Sequence, residues 1–167
     1  HQVTAAWLLH LAPLGGKVFD DQWNPVFNNE AGVKAAEILR EIARTGPAGI
    51  SSYGFSEASA AFLQGDAAMY LDTLKIAAMS RDPKLSKVDG KVGFALHPTG
   101  VRCSSETGGF AIGIPANSQH KEAAFLFIQY MTSRAGDRRM VELGGDPVRI
   151  STLQDPEFVE KFPEYTV

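Results

Sequence analysis

Cys103 is the chain's single thiol, and His97 and His120 are the imidazoles nearest to it along the sequence. A thiol beside an imidazole is the pairing that makes a nucleophile, because the base removes the proton that keeps sulfur unreactive. No local motif surrounds Cys103, so an incidental thiol in a polar loop is the preferred reading, and one cysteine excludes a disulfide within the chain. The four histidines, His1, His10, His97 and His120, show no close ligand spacing, and no metal site is expected. Glycine pairs at 15–16, 108–109 and 144–145 lack the spacing of a dinucleotide or phosphate loop. Carboxylate pairs occur without a spacing that marks a glycosidase acid and base. No catalytic residue and no cofactor is expected. A hydrolase using Cys103 or an Asp/Glu pair stands as the alternative, and a pure interaction module as a third class.

The residues better suited to binding are Asp72, Arg149 and a set of aromatics. Asp72 follows the apolar run 67–71 and precedes a helical stretch. That is the edge of an open α/β sheet where ligands bind, and a carboxylate there accepts charge-assisted hydrogen bonds from hydroxyls. Capping of the following helix is an equally weighted role for the same side chain. Arg149 sits in the loop Asp146-Pro147-Val148-Arg149, where its rigid fork suits polar ligands, a surface salt bridge being the plainer alternative. Trp7, Trp23, Tyr70 and Phe110 offer faces for a sugar ring, although most aromatics are core.

Helices and short strands must position these groups. Helices are expected over 4–11, from an Asn28 or Asn29 cap to a stop at Gly46-Pro47, over 56–63, over 74–80, over 119–132 and over 134–143. The 56–63 helix turns Ala60, Phe62 and Leu63 inward. Asn117 or Ser118 is the expected cap of the 119–132 helix, whose wide apolar circumference calls for protein on more than one side. Strands are expected at 17–19, 67–71, 92–96 and 109–114, and the tail after Asp146 reads as turns. The alternation makes the class α/β. The chain has 167 residues, 44% hydrophobic and 21% charged, with 16 Lys+Arg against 19 Asp+Glu for a net charge of −3. That composition excludes disorder and offers no basic field for nucleic acid. No apolar run approaches the roughly 20 residues of a membrane span.

The order of segments resembles the sugar-binding branch of bacterial extracellular solute-binding proteins of ABC importers, the group that includes maltose-binding protein. The matching stretches are Leu14-Gly15-Gly16-Lys17-Val18-Phe19-Asp20, Val26 to Gly32, Phe62-Leu63-Gln64-Gly65-Asp66-Ala67-Ala68-Met69, and Val92-Gly93-Phe94-Ala95 through Pro98. Gly108-Gly109-Phe110-Ala111-Ile112, Ile114-Pro115 through Ser118, Ala123-Ala124 through Ser133, and Gly145-Asp146-Pro147-Val148-Arg149 through Glu157 continue the order.

The resemblance implies a periplasmic-binding-protein type II-like fold, two α/β lobes joined by a hinge, and binding rather than catalysis. It implies that 1–96 is part of the C-terminal lobe, 97–107 a hinge crossing and 108–151 a returning part of the N-terminal lobe. Residues 152–167 then lead back to the C-terminal lobe, and the whole resembles a fragment from the middle of such a protein. The implied ligand is a small neutral sugar or polyol and the implied partner an ABC permease, in the periplasm or lipid-anchored at the cell surface. Asp72, Gly109, Phe110, Arg149 and Trp7 are the implied ligand-binding residues. Relatives carry a tryptophan shortly after the Ala-Ala-Met strand. Leu74 and Lys75 stand there in this chain, and with Asp72 they turn the resemblance toward polyol or monosaccharide binders. An isolated fragment of this kind is expected to bind weakly and to self-associate.

Overall fold

The computed structural model describes residues 2–105 and 108–166. His1 and the last two residues of the expected crossing, 106–107, lie outside the described residues. The first two helices are α1, Gln2–Leu11, and α2, Glu30–Thr45. Asn29 caps α2 by accepting from the Gly32 N–H at 3.1 Å, and Gly46 ends it. That cap was legible because a short side-chain oxygen is what the unpaired first-turn N–H groups require. α1 packs on α2 through Trp7, whose indole N–H donates to the Gly32 carbonyl at 3.0 Å while its ring meets Phe27 edge-on at 5.7 Å.

Gly32 is where the two helices meet the preceding turn, since a Cβ there would lie 2.0 Å from the Phe27 carbonyl oxygen. Alanine in place of a helical glycine gains about 1 kcal/mol in propensity, whereas forcing atoms into a packed site costs about 1–3 kcal/mol. The obstacle is backbone and cannot rotate away, so the steric cost wins. Gly32→Ala is expected to lower the thermal midpoint by several degrees, at roughly 2–4 °C per kcal/mol. An unchanged or raised midpoint in a calorimetric scan contradicts this packing.

α3, Phe55–Gln64, ends at Gly65, which takes the left-handed conformation at φ 86°. Ser59 is its buried residue together with Leu63, because the Ser59 hydroxyl satisfies itself on the Phe55 carbonyl at 2.7 Å. Ala60 is exposed, contrary to the sequence expectation. α4 is Lys75–Ser80, α5 Lys121–Met131 and α6 Arg134–Glu142. Neither Asn117 nor Ser118 is the residue at which α5 starts. His120 occupies that place, and the Ser118 hydroxyl accepts its N–H at 3.2 Å. The tail is more ordered than turns, with α7 at Ile150–Leu153, α8 at Pro156–Lys161 and a 3₁₀ turn at Pro163–Thr166. Asp155 caps α8 and Pro156 opens it, a pairing that starts a helix because proline lacks only an N–H that would go unbonded there.

The expected strands are not paired. Among the described residues no strand ladder forms, and the single antiparallel bridge joins Phe19 to Pro25 across the turn made by Asp20. There the Asp20 carboxylate accepts from the backbone N–H groups of Gln22 and Asn24, and these bonds and the Asn24 side chain hold its pKa below the usual carboxylate value. Residues 67–71, 92–96 and 109–114 carry no regular structure. A strand requires a neighbour for its N–H and C=O groups, and the principal packed pairs here are local: α1 with α2, α3 with α4, α5 with α6, α6 with α7 and α7 with α8. α5 likewise lacks cover within the chain, with Phe125, Leu126, Phe127 and Tyr130 all exposed.

Candidate ligand-binding site

Asp72 stands at the end of the extended stretch that leaves α3, exposed to solvent. Its Oδ1 accepts the Thr73 N–H at 2.8 Å, while the Thr73 hydroxyl accepts the Lys75 N–H at 3.3 Å. The residue at the start of α4 is Leu74, so Asp72 does not cap that helix. Tyr70, two residues before it, lies close enough for the Asp72 charge to act on its phenol. The Tyr70 ring stacks on Phe62, centroids 5.7 Å apart and planes inclined by 30°. Its hydroxyl oxygen is shut off from solvent and has no partner in hydrogen-bonding geometry. Burial, then the nearby Asp72 charge and the pull of its carboxylate on the hydroxyl proton, push the Tyr70 pKa upward, so the phenol keeps its proton through the physiological range. The pair thus offers a donor and an acceptor side by side. Sequence reading counted Tyr70 only as a stacking face; the two-residue spacing was the available signal.

Arg149 lies where the chain enters α7. Its Nη1 donates to the Thr132 carbonyl at the end of α5, and its Nε is enclosed without a partner. The loop before it is fixed by Asp137 of α6, a fully buried carboxylate that accepts the Val148 N–H at 2.9 Å and the Thr152 hydroxyl. Asp146 accepts the Tyr165 hydroxyl at 3.0 Å, and burial with that carboxylate pushes the Tyr165 pKa upward. Asp137 was not singled out from sequence, where it reads as one of several charges on an exposed helix.

The remaining site residues are dispersed. Phe110 is fully exposed, and so touches neither Asp72 nor Arg149; Gly109 has open space where a side chain would be. Trp7 has its N–H committed to Gly32, in the joint between α1 and α2. Lys75 of α4 faces Tyr130, Met131, Arg139, Leu143 and Gly144 across an open groove of about 580 Å³. Gly144 closes one end of this groove, and a Cβ on it would be 3.7 Å from Ala78 of α4. Cys103 is exposed, and among the described residues no group of three or more His, Cys, Asp or Glu side chains could hold a metal.

The family model described as bacterial extracellular solute-binding protein matches residues 2–138. The chain belongs to that family. A probable amino-acid ABC transporter periplasmic-binding protein of Sinorhizobium fredii is 33% identical over 163 residues, covering 97% of this chain and 37% of the relative. The mannitol-binding protein of Pseudomonas aeruginosa is 34% identical over 134 residues, covering 78% of this chain and 31% of the relative. Among solved structures, a ribitol complex of an ABC transporter solute-binding protein from Agrobacterium radiobacter superposes with a TM-score of 0.83 at 28% identity, over 96% of this chain and 42% of that one. Maltose-bound MalE3 of T. maritima gives 0.87 at 25% identity, over 98% and 44%. A D-mannitol complex from Agrobacterium vitis gives 0.77 at 28%, over 97% and 41%.

The chain therefore has part of the type II periplasmic-binding fold expected from its sequence, spanning 31% to 44% of the length of these relatives. The unpaired segments 67–71, 92–96 and 109–114 and the bare face of α5 are surfaces that local packing alone does not cover.

Proposed function

We propose that the chain contributes to a two-lobed receptor that holds a small neutral carbohydrate or polyol and delivers it to an ABC permease, in the periplasm or anchored by lipid at the cell surface. The observation that carries this reading is the enclosed, unpartnered Tyr70 hydroxyl beside the exposed Asp72 carboxylate. A buried donor without a partner costs free energy, and a ligand hydroxyl bonded to both groups removes that cost. The relative named for mannitol and the complexes with ribitol and D-mannitol support the polyol class.

Residues 1–96 and 108–151 are the parts of the two lobes in this reading, 97–107 the hinge crossing, and 152–167 the return. A ligand touching both lobes favours the closed state by as much as it binds that state better. Gly109, Phe110 and Trp7 come to the ligand as walls of the completed cleft. Binding, not catalysis, is the activity. The exposed apolar face of α5 is the surface through which the chain by itself would self-associate.

An amino-acid ligand is the second reading, favoured by the name of the Sinorhizobium relative. It needs a guanidinium presented to an α-carboxylate, and the Arg149 group is already tied to Thr132 with its Nε enclosed. Calorimetry on the intact natural polypeptide carrying these residues, with mannitol, ribitol, maltose, alanine and glutamate, decides between them. We expect a polyol to bind near micromolar, about −8.2 kcal/mol, and the amino acids not to bind. Binding of an amino acid with no polyol response overturns the proposal.

A further inference from the structure

His10 ends α1 and His97 opens the crossing, far apart in sequence, yet their rings lie 5.5 Å apart, centre to centre, inclined by 49°. The crossing is fastened to the end of α1 around them. Val101 N–H donates to the Pro13 carbonyl at 2.8 Å, and the Arg102 Nε–H donates to the Ala12 carbonyl, also at 2.8 Å. These bonds tie the crossing to the turn that follows α1. They also hold the two imidazoles in one place without using either.

The His97 Nδ1 lies 2.9 Å from the Pro98 carbonyl oxygen. A carbonyl can only accept, so the ring carries its proton on Nδ1, and the lone pair is on Nε2. That Nε2 is enclosed and has no partner. An imidazole with one nitrogen donating to a backbone carbonyl and the other left bare is the arrangement of a metal-ligating histidine. Two imidazoles bound to one ion at about 2.0–2.1 Å have ring centres about 5.2 Å apart at a tetrahedral angle. The observed 5.5 Å is a few tenths of an ångström wider.

We propose that His10 and His97 bind a divalent transition-metal ion of the zinc, nickel or copper type, joining the end of α1 to the start of the crossing. No third His, Cys, Asp or Glu among the described residues joins them. Among the described residues of the crossing the charged group is Arg102, held by the Ala12 and Gly16 carbonyls, and α1 carries no charged side chain besides His10. The proposal is independent of the sugar reading, because neither imidazole belongs to the Tyr70–Asp72 pair.

The test is a titration of this chain with Zn²⁺ and, separately, Ni²⁺, followed by thermal midpoint and by calorimetric stoichiometry. One ion per chain and a midpoint raised by roughly 5–10 °C at a hundredfold excess over Kd are expected. His10→Ala and His97→Ala should each abolish both signals, whereas His1→Ala and His120→Ala should keep them. Affinity should fall at least tenfold from pH 7.5 to pH 5.5 as the imidazoles protonate. Should either alanine variant unfold, Co²⁺ absorption of the wild-type chain, lost on carbethoxylation of histidine in the His1→Ala/His120→Ala background, gives the same answer. Absence of a midpoint shift in the wild type, or a shift that survives in both the His10 and His97 variants, overturns the site.

Discussion

Asp137→Ala is expected to destabilise the chain by about 3–5 kcal/mol, the largest effect of any single substitution considered. The carboxylate is fully buried and accepts two bonds, from Val148 N–H and the Thr152 hydroxyl. A hydrogen bond to a charged group contributes about 1.5–3 kcal/mol, and both donors are left without a partner when the acceptor goes. Loss of the buried charge itself offsets part of this, which keeps the figure below the simple doubled maximum. Against a whole-domain stability of about 5–15 kcal/mol the remaining deficit is severe.

Asp137→Asn separates the contributions. Its amide oxygen still accepts from Val148, and the Thr152 hydroxyl can turn to accept from the amide nitrogen, so a loss nearer 1 kcal/mol is expected. Urea unfolding monitored by circular dichroism gives both values. Equal losses for alanine and asparagine would show that charge, not the two bonds, is what the site needs. A loss under about 1 kcal/mol for alanine would remove Asp137 as the tie between α6 and α7.

The reason Asp137 escaped sequence reading is general. It sits among Arg134, Arg138 and Arg139, where a carboxylate looks like one more charge on a solvated helix, and its partners lie in the following loop and helix. α2 is the opposite case for its ends: Asn29 and Gly46 lie beside the element they define and are found as expected, although the helix buries Gly32 and Ala35 and leaves Val33, Ala36, Ile42 and Ala43 of the expected apolar face exposed. Gly65 at the end of α3 and the glycine stop after α6 were legible for the same reason. The runs 67–71, 92–96 and 109–114 show the limit. Their composition records that they belong beside other protein, but a strand is defined by its partner, and no run states where its partner lies. Here they remain irregular. The family was nonetheless recognisable, because the order of small motifs survives where pairing is missing. Of the site, Asp72 was legible as the residue after an apolar run, while the enclosure of the Tyr70 hydroxyl depends on Phe62 and its surroundings, which no local spacing reports.

Asp72→Ala in the intact natural polypeptide should weaken polyol binding by about 10- to 150-fold, the equivalent of one hydrogen bond to a charged acceptor at about 1.5–3 kcal/mol. Tyr70→Phe removes only a neutral donor and should weaken it by roughly 2- to 10-fold. It should also leave stability unchanged or slightly raised, since the hydroxyl it deletes has no partner in the unliganded chain. That combination, weaker binding with no loss of stability, is what distinguishes a ligand donor from a structural tyrosine. Because the Asp72 charge acts on the Tyr70 phenol and the ligand hydroxyl bridges them, the two substitutions should be less than additive in a double-mutant cycle. Calorimetry on the two single variants and the double variant supplies the coupling energy. Strict additivity would place the two side chains on separate parts of the ligand, and an unaltered affinity for Asp72→Ala would take the carboxylate out of the site altogether.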